Sequence, residues 1–218
     1  PPVEAGSDFG TFFLHNEGYS TMCGHAIIAL SKFAVETGLL TKKEDEEIII
    51  DAPPGKIYSK VHRKDGKVDR VSFKNVPSFV LMKDKSIQLE NYGEVRFDIA
   101  FGGAFYAFVD AEKLGVSLEK ENAQALIELG RDIKLEVMKN YEIKHPFEED
   151  LSFLYGTIFT AKPHKADHHS RNVCIFANGE LDRSSTGSGV SARAAIHYDR
   201  GEISKGESIR IESIIDTT

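Results

Sequence analysis

Two short segments carry residue types that could do chemistry. MCGHAIIAL (22–30) sets Cys23, Gly24 and His25 directly ahead of an apolar run, and DRSSTGSGVSARAAI (182–196) sets Asp182, Thr186, Gly187 and Ser188 ahead of an Ala-rich one. The first amides of a helix lack intrahelical partners and lie at the positive end of its dipole, so each start suits a carboxylate or phosphate. The same field favours a thiolate at Cys23, making it a candidate base or nucleophile. His25 reads equally as a packed or capping histidine, and Asp182 as a capping acid.

Other chemistries fit less well. A phosphate loop needs Lys after its glycines, and none follows Gly189. A serine nucleophile at Ser184, Ser185 or Ser188 would want a G-x-S-x-G elbow, which TGSGV does not supply. PHKADHH (163–169) is rich in His but has no second cluster at ligand spacing, so it reads as an exposed loop and no metal is expected. Cys174, inside NVCIF, reads as a small buried hydrophobe.

The elements that must position these residues follow from periodicity. FGTFFLH (9–15) reads as a strand and NEGYST (16–21) as a turn. Residues 23–40 read as a helix so apolar that it should be central, with Gly38 suited to its C-terminal cap. The charged run 41–47 reads as a solvated connection. Period-two strands follow at 47–52, 55–63, 67–76 and 77–83, with Lys64-Asp65-Gly66 as a hairpin turn. A second strand group spans 95–110, broken at Gly102-Gly103. Residues 121–141 form an amphipathic helix with Leu126, Ile127, Ile133, Val137 and Tyr141 on one stripe. Strands at 151–161, 172–179 and 209–215 flank the second loop-to-helix element.

The scheme repeats. FLHNEGYSTMCGHAIIA (13–29) lies over FANGELDRSSTGSGVSA (176–192) without a gap, matching Phe13 to Phe176, Cys23 to Thr186 and Gly24 to Gly187. These paired segments, together with GGAFYAFV, LYGTIFT, HSRN and IESI in that order, resemble the proline racemase superfamily over nearly the whole chain. The resemblance implies an α+β, diaminopimelate-epimerase-like fold: two pseudo-symmetric halves, each a curved, mostly antiparallel sheet around a central helix, with the site in the cleft between them. Residues 1–80 would form the first half and 81–218 the second, the boundary falling near 78–84.

Racemases of this family carry cysteine at both helix starts, one thiolate taking the Cα proton and the opposite thiol delivering one. Thr186 in place of the second cysteine resembles the trans-3-hydroxy-L-proline dehydratase branch. A threonine hydroxyl is far too weak an acid to serve as a base at neutral pH, which disables two-base racemisation and leaves elimination open. The implied reaction is Cα proton abstraction by Cys23, loss of the C3 hydroxyl and tautomerisation to Δ1-pyrroline-2-carboxylate, without a cofactor. The resemblance assigns the amides of Gly24, His25, Gly187 and Ser188 to the substrate carboxylate, where they would also stabilise an enediolate. It assigns Asp182 to the ring nitrogen and Phe176 to the pocket wall. Two further readings stay open: a proline or hydroxyproline epimerase with an unusual proton donor, and a non-catalytic fragment or binding module.

Ala26 stands where many members have Gly, and Ser185 where Pro is usual. Family members are longer at both ends, so the sequence reads as an excised piece with an incomplete first half. With 218 residues and 41% hydrophobic content the chain can still build real cores. The net charge of −7 argues against nucleic-acid or anionic-membrane surfaces. No run has the length of a membrane span, and two cysteines suit free thiols in a reducing, cytoplasmic compartment. The expected partner is a proline-like imino acid, with a homodimer as the expected assembly.

Overall fold

The computed structural model describes residues 1–15, 18–43 and 46–218. The chain divides into two compact units, Pro1–Pro77 and Ser78–Thr218. The fold class is α+β, with curved sheets and few helices.

The first unit holds a four-stranded sheet in the order β1 (Phe9–Gly10), β4 (Ile48–Ala52), β5 (Gly55–Lys64), β6 (Lys67–Lys74). β5 and β6 form a hairpin whose two connecting residues, Asp65 and Gly66, both have positive φ (51° and 77°), the mirror-image turn that follows strand twist. The expected strand at 9–15 is two strands. β1 runs parallel to β4, Thr11 then donates its amide to the Asp51 carbonyl, and β2 (Phe13–His15) pairs instead with β3 (Gly18–Ser20). NEGYST is therefore strand at Gly18–Ser20, while Asn16 and Glu17 lie outside the described residues.

Helix α1 (Gly24–Glu36) packs on β5 and β6. It buries only Ile27, Ser31, Ala34 and Val35, the i, i+4, i+7, i+8 stripe of a one-sided helix. Ile28 and Phe33 are exposed (39% and 56%), so within these 218 residues β5 and β6 cover one stripe of a helix whose apolar count is high all round. Within that stripe Ser31 Oγ donates to the Ile27 carbonyl and meets Ser59 Oγ at 2.8 Å, so the buried hydroxyl is satisfied. Thr37 caps the helix and Gly38 follows with φ 75°. In the charged run, Glu44 and Asp45 lie outside the described residues, and Lys42 is not merely solvated, since it pairs with Asp8 at 2.9 Å.

The second unit is built on a sheet in the order β12 (Glu180–Leu181), β11 (Ser170–Phe176), β10 (Leu154–Ala161), β9 (Phe105–Asp110), β8 (Gly93–Phe101), β7 (Phe79–Leu89), with β13 (Ile211–Glu212) also beside β11. Most neighbours are antiparallel. β9 and β10 are parallel, a step that needs a crossover, and α2 (Ala123–Asn140) makes it. Alternation along the strands then gives each sheet face its own helix. Thr157 and Ile175 face α2: Thr157 Oγ1 donates to the Gly130 carbonyl, and a Cβ on Gly130 would meet Ile175 at 2.7 Å. Their neighbours Ile158 and Cys174 point the other way and pack with Tyr106, Tyr155, Ala192 and Ile196 under α3 (Gly187–Asp199).

The strand expected at 209–215 is only two residues long. Past Glu212 the chain turns, Asp216 taking φ 62°, and the Ile214 carbonyl accepts from the buried Arg171 guanidinium in place of a strand partner.

Candidate active site

Each unit presents the same local arrangement. An antiparallel hairpin leads into a residue at the N-cap of a thirteen-residue helix: Cys23 before α1, Thr186 before α3. In both, the N-cap carbonyl accepts the first helical hydrogen bond, from Ile27 at 3.1 Å and from Val190 at 2.7 Å. The amides ahead of that bond, those of Gly24 and His25 and those of Gly187 and Ser188, have no partner within their helix and point out of its start. Neither N-cap side chain bonds back to its own helix.

At the first start, Cys23 is half-buried and its backbone is extended (φ −138°, ψ 104°). Met22 before it is buried, and Ser20 Oγ donates to the Met22 carbonyl. His25 is exposed, which sets aside the reading of a packed core histidine.

The second start is more tightly built. Thr186 has φ 65° and ψ 97°, a left-handed conformation that costs a β-branched residue about 1–3 kcal/mol. The loop before it supplies what holds that conformation. Thr186 donates its amide to Ser184 Oγ at 3.0 Å and its hydroxyl to Asp182 Oδ2 at 2.8 Å. Asp182 Oδ1 accepts the Ser184 amide at 2.8 Å, and the Asp182 amide donates to the Cys174 carbonyl at 3.0 Å. Asp182 is thus half-buried beside the helix start rather than capping it directly. Phe176 ends the neighbouring strand and stacks on Tyr155, with centroids 5.5 Å apart.

Beneath this loop, Ser188 Oγ meets Tyr106 Oη at 2.8 Å. Burial, with Cys174 alongside, pushes the Tyr106 phenol well above its ordinary range, so it stays neutral. Gly102, between β8 and β9, lets that turn lie against α3: a Cβ there would stand 2.1 Å from the Ser188 carbonyl oxygen and 2.6 Å from the Ala192 nitrogen. From α3 itself, buried Arg193 donates to Asn172 Oδ1 and to the Arg171 carbonyl, and Asn172 Nδ2 reaches the Ser185 carbonyl at 3.3 Å. Burial pushes the Arg193 guanidinium down to about 10, which leaves it charged at neutral pH.

The second unit therefore brings together Phe176, Asp182, Thr186, Gly187 and Ser188, and the first brings together Cys23, Gly24 and His25. Ser184 and Tyr106 border the α3 start, a placement that residue-by-residue reasoning missed. Tyr106 lies within GGAFYAFV, but its partner Ser188 is 82 positions away. Ser184 stood among the weak nucleophile candidates, whereas its hydroxyl accepts a backbone amide.

The His-rich loop is not simply exposed. His168 packs its side chain inward and bonds Glu212 at 2.8 Å, while His164, Glu212 and Asp216 converge. Arg171 Nη1 already stands among them, 3.1 Å from Glu212, 2.6 Å from Asp216 and 3.4 Å from His164, so this cluster has its own cation.

The proline racemase family model matches residues 1–218. The chain belongs to the proline racemase family. Among family members, it is 52% identical over 210 residues to a protein of Colwellia psychrerythraea named trans-3-hydroxy-L-proline dehydratase, covering 96% of this chain and 59% of that one. It is 44% identical over 217 residues to a Bacillus cereus protein of the same name, covering 99% and 65%. A Xenopus tropicalis protein named trans-L-3-hydroxyproline dehydratase is 42% identical over 206 residues, covering 93% and 59%. The crystal structure of a hydroxyproline epimerase from Agrobacterium vitis with bound trans-4-hydroxy-L-proline matches with a TM-score of 0.94 at 30% identity, over 100% of this chain and 63% of that one. The chain thus spans about three fifths of the length of the curated relatives it matches. No helix among the described residues is long and apolar enough to cross a membrane.

Proposed function

We propose that the protein dehydrates trans-3-hydroxy-L-proline to Δ1-pyrroline-2-carboxylate. The observation that carries the reading is the identity of the two N-cap residues: Cys23 at one helix start and Thr186, not a second cysteine, at the other. Cys23 as thiolate takes the Cα proton. The amides of Gly24, His25, Gly187 and Ser188, which lack partners within their own helices, hold the substrate carboxylate and stabilise the enediolate charge as it develops. Asp182, its carboxylate fixed by Ser184 and Thr186, pairs with the ring nitrogen, and Phe176 supplies an apolar wall. Loss of the C3 hydroxyl gives an enamine that tautomerises to the cyclic imine, so the chemistry calls for no cofactor. The names of the relatives support the substrate and the reaction. The free thiols Cys23 and Cys174 support a reducing, cytoplasmic setting.

Incubation with the isomers of 3- and 4-hydroxyproline, followed by o-aminobenzaldehyde detection of the imine, tests the reading. The expected result is imine from trans-3-hydroxy-L-proline and none from the 4-hydroxy isomers. Epimerisation is the second reading, favoured by the likeness to the epimerase of Agrobacterium vitis. Conversion of trans-4-hydroxy-L-proline to its Cα epimer would establish it. If neither reaction occurs while a full-length relative dehydrates the substrate under the same conditions, this chain is a binding module or fragment.

A further inference from the structure

Dehydration must deliver a proton to the departing C3 oxygen, and Thr186 is the obvious hydroxyl to supply it. The second unit argues otherwise. A threonine hydroxyl has one proton and two lone pairs. The Thr186 proton is already donated to Asp182 Oδ2 at 2.8 Å. Asp182 is pinned from its other oxygen by the Ser184 amide, and Thr186 is held by Ser184 Oγ at its own amide. With only 7% of its surface exposed, Thr186 has little freedom to turn the hydroxyl elsewhere.

A relay from below is closed as well. Cys174 lies fully buried in the sheet beneath, and burial with Asp182 nearby drives its thiol far above the ordinary range. Its S–H proton stays on sulfur. Surrendering that proton would strand a thiolate in the core beside a carboxylate. The remaining capacity of the Thr186 hydroxyl is therefore in its lone pairs, which only accept.

The stereochemistry of the proposed substrate supplies the alternative donor. In trans-3-hydroxy-L-proline the hydroxyl lies on the ring face opposite the carboxylate, and the Cα hydrogen lies on that same face. Loss of water is a syn elimination, so one group on that face can serve both ends of it.

Resting on the dehydratase reading, we infer that Thr186 is a positioning residue that gives up no proton, and that Cys23 acts as both base and acid. The Cys23 thiolate takes the Cα proton and becomes a thiol. The C–H electron pair forms the Cα–C3 double bond as the C3–O bond breaks. The new S–H proton passes to the departing oxygen, releasing water and restoring the thiolate. Protons balance within one residue, and tautomerisation of the enamine moves a proton from N to C3 through solvent.

The test compares trans-3-hydroxy-L-proline with trans-3-fluoro-L-proline, whose fluoride needs no full proton to leave, in wild type, Thr186→Val and Thr186→Ser. The two substrates are measured on one preparation, so partial misfolding cancels in their ratio. The inference expects kcat for both to fall together in Thr186→Val, with the hydroxide-to-fluoride ratio within about 3-fold of wild type, and Thr186→Ser to recover much of the loss. Selective loss of hydroxyproline turnover by about 100-fold or more, with fluoroproline turnover retained, identifies Thr186 as the acid and overturns it. The wild type supplies a second decision if Thr186→Val is inactive with both substrates. cis-3-Hydroxy-L-proline, whose hydroxyl is on the opposite face from the Cα hydrogen, is expected to give no imine, and comparable turnover would overturn the inference. A wild type that dehydrates neither 3-hydroxy isomer and releases no fluoride removes the dehydratase reading itself, and this inference with it.

Discussion

At the scale of single residues, the account turns on two side chains at equivalent positions. Cys23 sits half-buried at an extended N-cap, and Thr186 sits buried at a left-handed one, bonded to Asp182. Replacing Cys23 with Ser exchanges a thiolate for a hydroxyl that does not ionise near neutrality, so kcat should fall by about 10²-fold or more. The thermal midpoint should stay close to wild type, because no side-chain cap is lost; turnover and melting measured together check this. The residue types of this pair, and their place at two helix starts, were legible in the sequence, since MCGH and DRSSTG display them openly. The hydrogen-bond state of Thr186 was not. It depends on a positive φ and on partners at positions 182 and 184 that bend back only once the loop is folded.

At the scale of elements, the α3 start depends on a strand turn and a tyrosine that the local sequence does not advertise. Tyr106→Phe removes the partner of the buried Ser188 hydroxyl, a loss of about 1–2 kcal/mol that should appear as a lower urea midpoint with unchanged m-value. Gly102→Ala is expected to be far more damaging. Its Cβ would overlap the backbone of Ser188 and Ala192, and rigid backbone on both sides cannot yield as a flexible side chain would. Loss of soluble, cooperatively melting protein would report it. Among the elements, the β5–β6 hairpin was legible because a period-two pattern flanks Asp65-Gly66. The division of residues 9–15 between two sheets was not, because pairing partners are chosen by tertiary contacts.

At the scale of the whole molecule, a buried charge cluster ties the C-terminal segment to the second sheet. Burial pushes the Glu212 carboxyl up, but the amides of His164 and Lys165, with His168 and Arg171, outweigh it and hold the group at about 2. A folded value below the ordinary 4.5 means that ionised Glu212 contributes stability above that ordinary value, lost as pH falls through it toward about 2. Urea midpoints taken across that range should drop steeply in the wild type and more gently in Glu212→Gln, which should already be less stable at neutral pH because Arg171 loses a charged partner. Fold class was legible because the paired motifs run through nearly the whole chain; this cluster was not, because Arg171 and Glu212 are 41 residues apart. The central claim, that Thr186 in place of a second cysteine makes this a dehydratase rather than an epimerase, is tested most directly by proton NMR of trans-3-hydroxy-L-proline incubated with the protein in D2O. The account predicts accumulation of Δ1-pyrroline-2-carboxylate with no Cα epimer formed. Recovery of the opposite Cα isomer bearing deuterium, without imine, would contradict it.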